Sequence, residues 1–252
     1  GRRALGFTPT YSMYPEYCRD TFTDYVTAPR AADFTLAPQA AAAAVRAHRP
    51  DVVLLASPNN PTGTALPTDT LAAVLECAPG IVVVDEAYAE FRRPATPSAL
   101  ALLADHPLLV VTRTMSKAFG LAAARLGYLA AAPEVVAALQ LVRLPYHLSA
   151  VTQAVGRTAL RHTGSLREQI ALLREERDNL VGWLRGRGHD VAESDANFVY
   201  FGRFADRDAV WQALLDRGVL IRATGPPEWL RVTVGSPREN AAFRAALEEV
   251  TA

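Results

Sequence analysis

The sequence predicts an α/β protein, a mostly parallel sheet with flanking helices that is followed by a small C-terminal α+β domain. Three observations carry that expectation. Residues 52–56, 81–84 and 108–112 are short, nearly unbroken runs of β-branched residues and leucine, the pattern of strands covered on both faces. A helix stands between the first two, so the local order is strand, helix, strand, which a right-handed crossover turns into parallel neighbours. Beyond Pro133 the chain becomes rich in alanine and leucine, then alternates short strands with short helices.

The elements follow in order. The alanine run 40–44 reads as helix. Pro67-Thr68-Asp69-Thr70 leads into Leu71-Ala72-Ala73-Val74-Leu75, a helix start followed by an apolar face. Residues 165–187 read as one long helix, because Leu166, Ile170, Leu173, Leu180 and Leu184 recur at helical spacing and Gly186 and Gly188 end it. Residues 197–201, 219–222 and 230–234 are expected as strands, with a helix at 207–217 and another at 237–250. The chain thus divides into residues 1–160, part of a large sheet domain, and residues 161–252, a small domain joined through the long helix.

Composition narrows the class of partner. Of 252 residues half are apolar, enough for a substantial core, and 26 basic residues balance 26 acidic ones. No overall field favours nucleic acid or an anionic membrane, so a small molecule is the expected partner. Cys18 and Cys77 lack the paired spacing of a zinc or redox site, no metal is expected, and free thiols suit a reducing compartment. No apolar run has the length of a membrane span or signal peptide, and a cytoplasmic protein is expected.

Three motifs stand directly after the three buried runs, where α/β sheets place their ligand loops. Ser57-Pro58-Asn59-Asn60-Pro61-Thr62-Gly63 follows the first, and a plain tight turn accounts for its composition equally well. Val84-Asp85-Glu86-Ala87-Tyr88 ends the second. It places a carboxylate where burial is costly unless it is paired, as by a protonated ring nitrogen; a helix cap is the ordinary alternative. Thr112-Arg113-Thr114-Met115-Ser116-Lys117-Ala118-Phe119-Gly120 follows the third, with Arg125 beyond it. A lysine among small hydroxyls and apolar neighbours is suited to Schiff-base chemistry, with an exposed lysine on a turn as the alternative, and Thr114, Ser116 and Arg125 are suited to a phosphate.

Together, the Asn-Pro-Thr-Gly loop, Asp-Glu-Ala-Tyr, Ser-Lys-Ala-Phe-Gly and the following arginine resemble the fold type I, class II aminotransferases that depend on pyridoxal 5′-phosphate. More narrowly, Pro145-Tyr146-His147-Leu148-Ser149, Ser194-Asp195-Ala196-Asn197-Phe198, Gly218-Val219-Leu220-Ile221-Arg222 and Leu230-Arg231-Val232-Thr233-Val234-Gly235 resemble the histidinol-phosphate aminotransferases. The resemblance implies that Lys117 forms the Schiff base and moves the proton, and that Asp85 pairs with the pyridinium nitrogen. It implies that Asn60 and Tyr88 hydrogen-bond the phenolic oxygen, and that Thr114, Ser116 and Arg125 hold the phosphate. Tyr11, in Pro9-Thr10-Tyr11-Ser12-Met13-Tyr14, takes the place of a ring stacking on the cofactor, with an ordinary buried tyrosine as the alternative.

Two arginines are expected to decide the substrate. Arg231 resembles the carboxylate-binding arginine of the family, and Arg222 the one associated with substrate phosphate; a surface salt bridge is the alternative for Arg222. The implied reaction interconverts L-histidinol phosphate and 2-oxoglutarate with imidazole acetol phosphate and glutamate in histidine biosynthesis, in a homodimer. Aromatic amino acid transamination, decarboxylation of a phosphorylated amino acid and a truncated, non-catalytic homologue are the alternatives. The family carries a longer amino-terminal portion that supplies a phosphate-binding loop, expected to be lacking here, and glycine where this chain has Ala123.

Overall fold

The computed structural model describes residues 1–251. Ten strands and eight α-helices form two sheets with their covering helices. The first sheet contains β1 (Arg3–Thr8), β2 (Asp24–Pro29), β3 (Val52–Ala56), β4 (Ile81–Asp85), β5 (Leu109–Thr114) and β6 (Gly127–Ala131) in the order β2-β1-β3-β4-β5-β6. All neighbours are parallel except β5 and β6. The three expected buried strands occupy consecutive positions, so their carboxyl ends lie along one edge. Between the strands run α1 (Met13–Asp20), α2 (Pro38–His48) and α3 (Thr68–Cys77). The last two pack Ala41, Val45, Leu71 and Val74 against Leu5, Val53, Leu55, Val82, Val84 and Val111 of the sheet.

β1 and β2 are not legible from local pattern. β1 interrupts its apolar run with Gly6, where a Cβ would force the Tyr25 side chain of β2 to shift. β2 is an edge strand with only half-buried or exposed positions.

After β6 come α4 (Pro133–Val142), α5 (Ala150–Arg161) and α6 (Thr163–Gly186), the last two separated only by His162. The second sheet has the order β7-β8-β10-β9, with β7 (Asp190–Val191), β8 (Phe198–Gly202), β9 (Arg222–Ala223) and β10 (Trp229–Thr233). α6, α7 (Arg207–Asp216) and α8 (Pro237–Thr251) cover it through Leu180, Leu184, Leu214, Phe243 and Leu247. The strand expected at 219–222 is displaced. The indole of Trp211 donates to the carbonyl of Ile221 at 2.8 Å, so that group is taken by a side chain, and pairing with β10 starts at Arg222.

Three arginines join the second sheet's helix and loops to the segment after β4. Arg177 is 1% exposed and donates to the carbonyls of Phe91 and Ala196; Arg174 donates to Glu90; and Arg93 donates to Ser194 and Asp178. Arg177 sits on the buried stripe of α6 between Ile170 and Leu184, a position that apolar periodicity does not reveal.

Candidate active site

At the carboxyl ends of β3, β4 and β5 lies a cavity of about 460 Å³. Tyr11, Asn60, Asp85, Tyr88, Thr114, Ser116, Lys117, Arg125 and Arg231 all line it. Arg222 does not; it is exposed on β9, directly opposite Arg231 in the ladder.

The loop after β3 is held from both sides. Asn59 is fully buried, donating to the carbonyl of Pro9 and to Thr62 Oγ1 and accepting from Thr10, which ties this loop to the segment carrying Tyr11. Gly63 has φ +79°, and a Cβ there would stand 2.5 Å from Ser194 Oγ. Its carbonyl accepts from Asp195 N at 2.8 Å. Glycine is therefore needed where the first sheet's loop meets the second sheet. Asn60 turns into the cavity, and its Oδ1 accepts from Arg231 Nη1.

Asp85 ends β4. Its Oδ1 accepts from Ala87 N (3.1 Å) and Thr112 Oγ1 (3.5 Å), and its Oδ2 from the Tyr14 hydroxyl (3.3 Å). Burial raises its pKa, and these three donors oppose the rise. No cation pairs with it among the described residues, whereas its neighbour Glu86 is bound by Arg92 and Arg113. Tyr14 is 4% exposed, and burial followed by the charge of Asp85 holds its pKa well above the ordinary tyrosine value. Nothing in the local sequence distinguishes Tyr14; its partner is 71 residues away.

Lys117 lies in the turn after β5, closed by Gly120 N donating to the Lys117 carbonyl and by Leu121 N donating to Met115. Its Nζ stands 5.5 Å over the Tyr88 ring, which meets Phe198 edge-on at 5.0 Å, while the Arg231 guanidinium lies 4.7 Å over the other ring. Partial burial lowers the Lys117 pKa, with Arg231, Arg125 and Arg222 adding to the effect and Asp85 opposing it. Lys117 is also the sole lysine of the chain, all other basic residues being arginine. That asymmetry is a signal the sequence carries without any structure.

Arg113, which also lines the cavity, is paired with Glu86, but Lys117, Arg125 and Arg231 have no carboxylate partner among the described residues. Arg125 donates only to the carbonyl of Ala122, and the buried Nε of Arg231 has no partner. Thr114 Oγ1 accepts from Ser116 N, fixing the hydroxyl-bearing turn beside Lys117. Ala123 lies in a right-handed 3-10 turn, and the positive φ values of this segment fall on Gly120 and Arg125, so alanine at 123 is unstrained. Three cations without a carboxylate partner and one cation-free buried carboxylate around one cavity match a ligand with anionic groups and one protonated nitrogen.

Comparison with known proteins agrees with this chemistry. Residues 1–247 match the family described as aminotransferase class I and II. The chain is 64% identical to a histidinol-phosphate aminotransferase of Thermobifida fusca, over all of this chain and 68% of that protein. It is 60% identical to histidinol-phosphate aminotransferase 3 of Burkholderia lata, again over 100% of this chain and 68% of the relative. The crystal structure of histidinol-phosphate aminotransferase from Sinorhizobium meliloti in complex with pyridoxal-5′-phosphate superposes with a TM-score of 0.90 at 27% identity, covering 99% of this chain and 70% of that one.

Proposed function

Because the chain belongs to the class I and II aminotransferases, we infer that it interconverts L-histidinol phosphate and 2-oxoglutarate with imidazole acetol phosphate and glutamate, a step of histidine biosynthesis. The observation that carries this reading is the cavity that gathers Lys117, Arg125 and Arg231 around the cation-free carboxylate of Asp85. That set fits pyridoxal 5′-phosphate, which when bound supplies an electron sink for bond breaking at the amine-bearing carbon of the substrate.

The chain's own residues divide the work. Lys117 Nζ would hold the cofactor and move the proton at the reacting carbon, for which its lowered pKa suits it. Asp85 supplies the counter-charge of the protonated ring nitrogen. Asn60 Nδ2 and the Tyr88 hydroxyl would donate to the phenolic oxygen, while Asn60 Oδ1 accepts from Arg231 Nη1. Thr114, Ser116 and Arg125 would hold the phosphate, and Tyr11 lines the same cavity with a ring suited to the cofactor. Arg231 binds the substrate's anionic group, and Arg222, in register beside it, extends the positive field to a second one. This arrangement accommodates a substrate with one phosphate and another with two carboxylates.

The domain division is read at residues 160/161, in the last turn of α5 and ahead of α6. Leu141, Val142, Leu144, Tyr146 and Val151, within eleven residues of chain, are exposed apolar side chains, which supports a homodimer. The free thiols Cys18 and Cys77 are suited to the cytoplasm. The test is turnover of the cofactor-loaded protein with histidinol phosphate and 2-oxoglutarate, and loss of the bound cofactor's visible absorbance in Lys117→Ala. Brisk turnover of phenylalanine with none of histidinol phosphate would instead assign aromatic transamination. Carbon dioxide release would assign decarboxylation, and failure to take up cofactor would mark a non-catalytic homologue.

A further inference from the structure

We propose that Phe34, in the loop between β2 and α2, is a positioning residue that sets the distance of Arg231 from Asn60 by wedging against the second sheet. The proposal rests on the reading of Arg231 as the group that binds the substrate's anion.

Phe34 is 6% exposed and has φ +66°, a backbone conformation that a bulky residue adopts only when its surroundings hold it there. Two polar groups do so. Its carbonyl accepts from Arg30 Nη1 at 3.3 Å and from Thr64 Oγ1 at 3.4 Å. Arg30, itself 9% exposed, also donates through Nε to the carbonyl of Phe7 at 3.1 Å, which fastens the loop to the end of β1. Thr64 belongs to the loop that carries Asn60, and its hydroxyl shares a hydrogen bond with that of Thr62. The backbone of Phe34 is thus part of the first sheet's ligand edge.

Its ring belongs to the second sheet. It meets Trp229 edge-on at 4.8 Å and Tyr200 at 5.4 Å, and those two rings stack on each other at 5.0 Å. Trp229 precedes Arg231 by two residues on β10, and Tyr200 stands opposite Arg231 in the β8–β10 ladder. Residues two apart on a strand, and residues directly opposite across a ladder, share one face of the sheet. The Phe34 ring therefore bears on the two same-face neighbours of Arg231. The Tyr200 hydroxyl, moreover, donates to the carbonyl of Thr224, two residues beyond Arg222. Across this wedge Arg231 reaches Asn60 Oδ1, 171 residues away in sequence. A smaller side chain at 34 lets β10 settle toward the first sheet and moves the guanidinium off its anion, while Lys117, Asp85 and Ser116, all on the first sheet's edge, keep their places.

The test separates positioning from folding. In the cofactor-loaded protein, Phe34→Leu should raise KM for 2-oxoglutarate by about tenfold, with kcat and the cofactor dissociation constant held within about twofold. Trp229→Leu should give the same signature from the other side of the contact, which keeps the idea testable if one variant folds poorly. Over an Arg231→Lys background, Phe34→Leu should add less than about twofold, because both changes act on one contact. Unchanged KM in either folded variant overturns the proposal, as does a loss of kcat and cofactor affinity equal to the rise in KM. If Arg231→Lys alone leaves KM unaltered, the reading of Arg231 fails, whatever Phe34 does.

Discussion

Replacing Glu86 by glutamine should cost this fold more than any neutral change at the cavity itself. Glu86 is 1% exposed, and its two oxygens accept from Arg92 Nη1, Arg113 Nε and Nη2, Ser98 Oγ and Ala99 N at 2.7 to 3.2 Å. Glutamine offers one acceptor oxygen and turns an NH2 toward donors that need acceptors. Two guanidinia, 10% and 17% exposed, then lose their central counter-charge, and only Glu90, 3.9 Å from Arg113, remains nearby. Breaking a buried pair by removing one partner costs about 3–5 kcal/mol. At roughly 2–4 °C per kcal/mol for a chain of this size, the midpoint of thermal unfolding should fall by about 6–20 °C. Circular dichroism melts and urea unfolding of the two proteins measure this directly. Glu86→Asp, which keeps the charge but is shorter, should fall between them. A loss for Glu86→Gln below about 1 kcal/mol would place the network on the scale of exposed ion pairs and refute the reasoning. The consequence reaches the site, because Arg113 lies on β5 between Thr112 and Thr114, and cofactor affinity should weaken as well.

Three further outcomes are expected. The Tyr14 hydroxyl is one of three donors opposing the burial that raises Asp85's pKa, so Tyr14→Phe should raise it further. As pH falls, the carboxylate is then protonated sooner and cofactor retention should be lost at higher pH than in the parent; coincident retention curves would rule out the coupling. Lys117, with its pKa lowered by burial and by Arg231, should react with an amine reagent in the cofactor-free protein with a midpoint below that of an ordinary lysine. Borohydride treatment of the loaded protein should fix the cofactor on the peptide containing Lys117, and label found elsewhere would remove the role, since no second lysine competes.

Legibility in the sequence followed the range of the interaction. β3, β4 and β5 were readable because strands covered on both faces write burial as continuous apolar runs. β1 and β2 were not, because one carries Gly6 against Tyr25 and the other, at a sheet edge, has only half-buried or exposed positions without alternation. The register of β9 depended on Trp211 capturing a carbonyl, an event that periodicity cannot express.

The sequence by itself determined which chemistry stands at the ends of three parallel strands: Asn60, Asp85 with Tyr88, and Lys117. A βα unit places the residue after a strand at the ligand edge whatever the rest of the chain does. Only the tertiary structure decided what surrounds them. Tyr14 reaches Asp85, Arg231 reaches Asn60, and Phe34 enters the second sheet across separations of 71, 171 and more than 160 residues, whereas Arg222 stays outside the cavity. Those contacts are selected by packing between the two sheets, where side chains meet through space and leave no periodic trace along the chain.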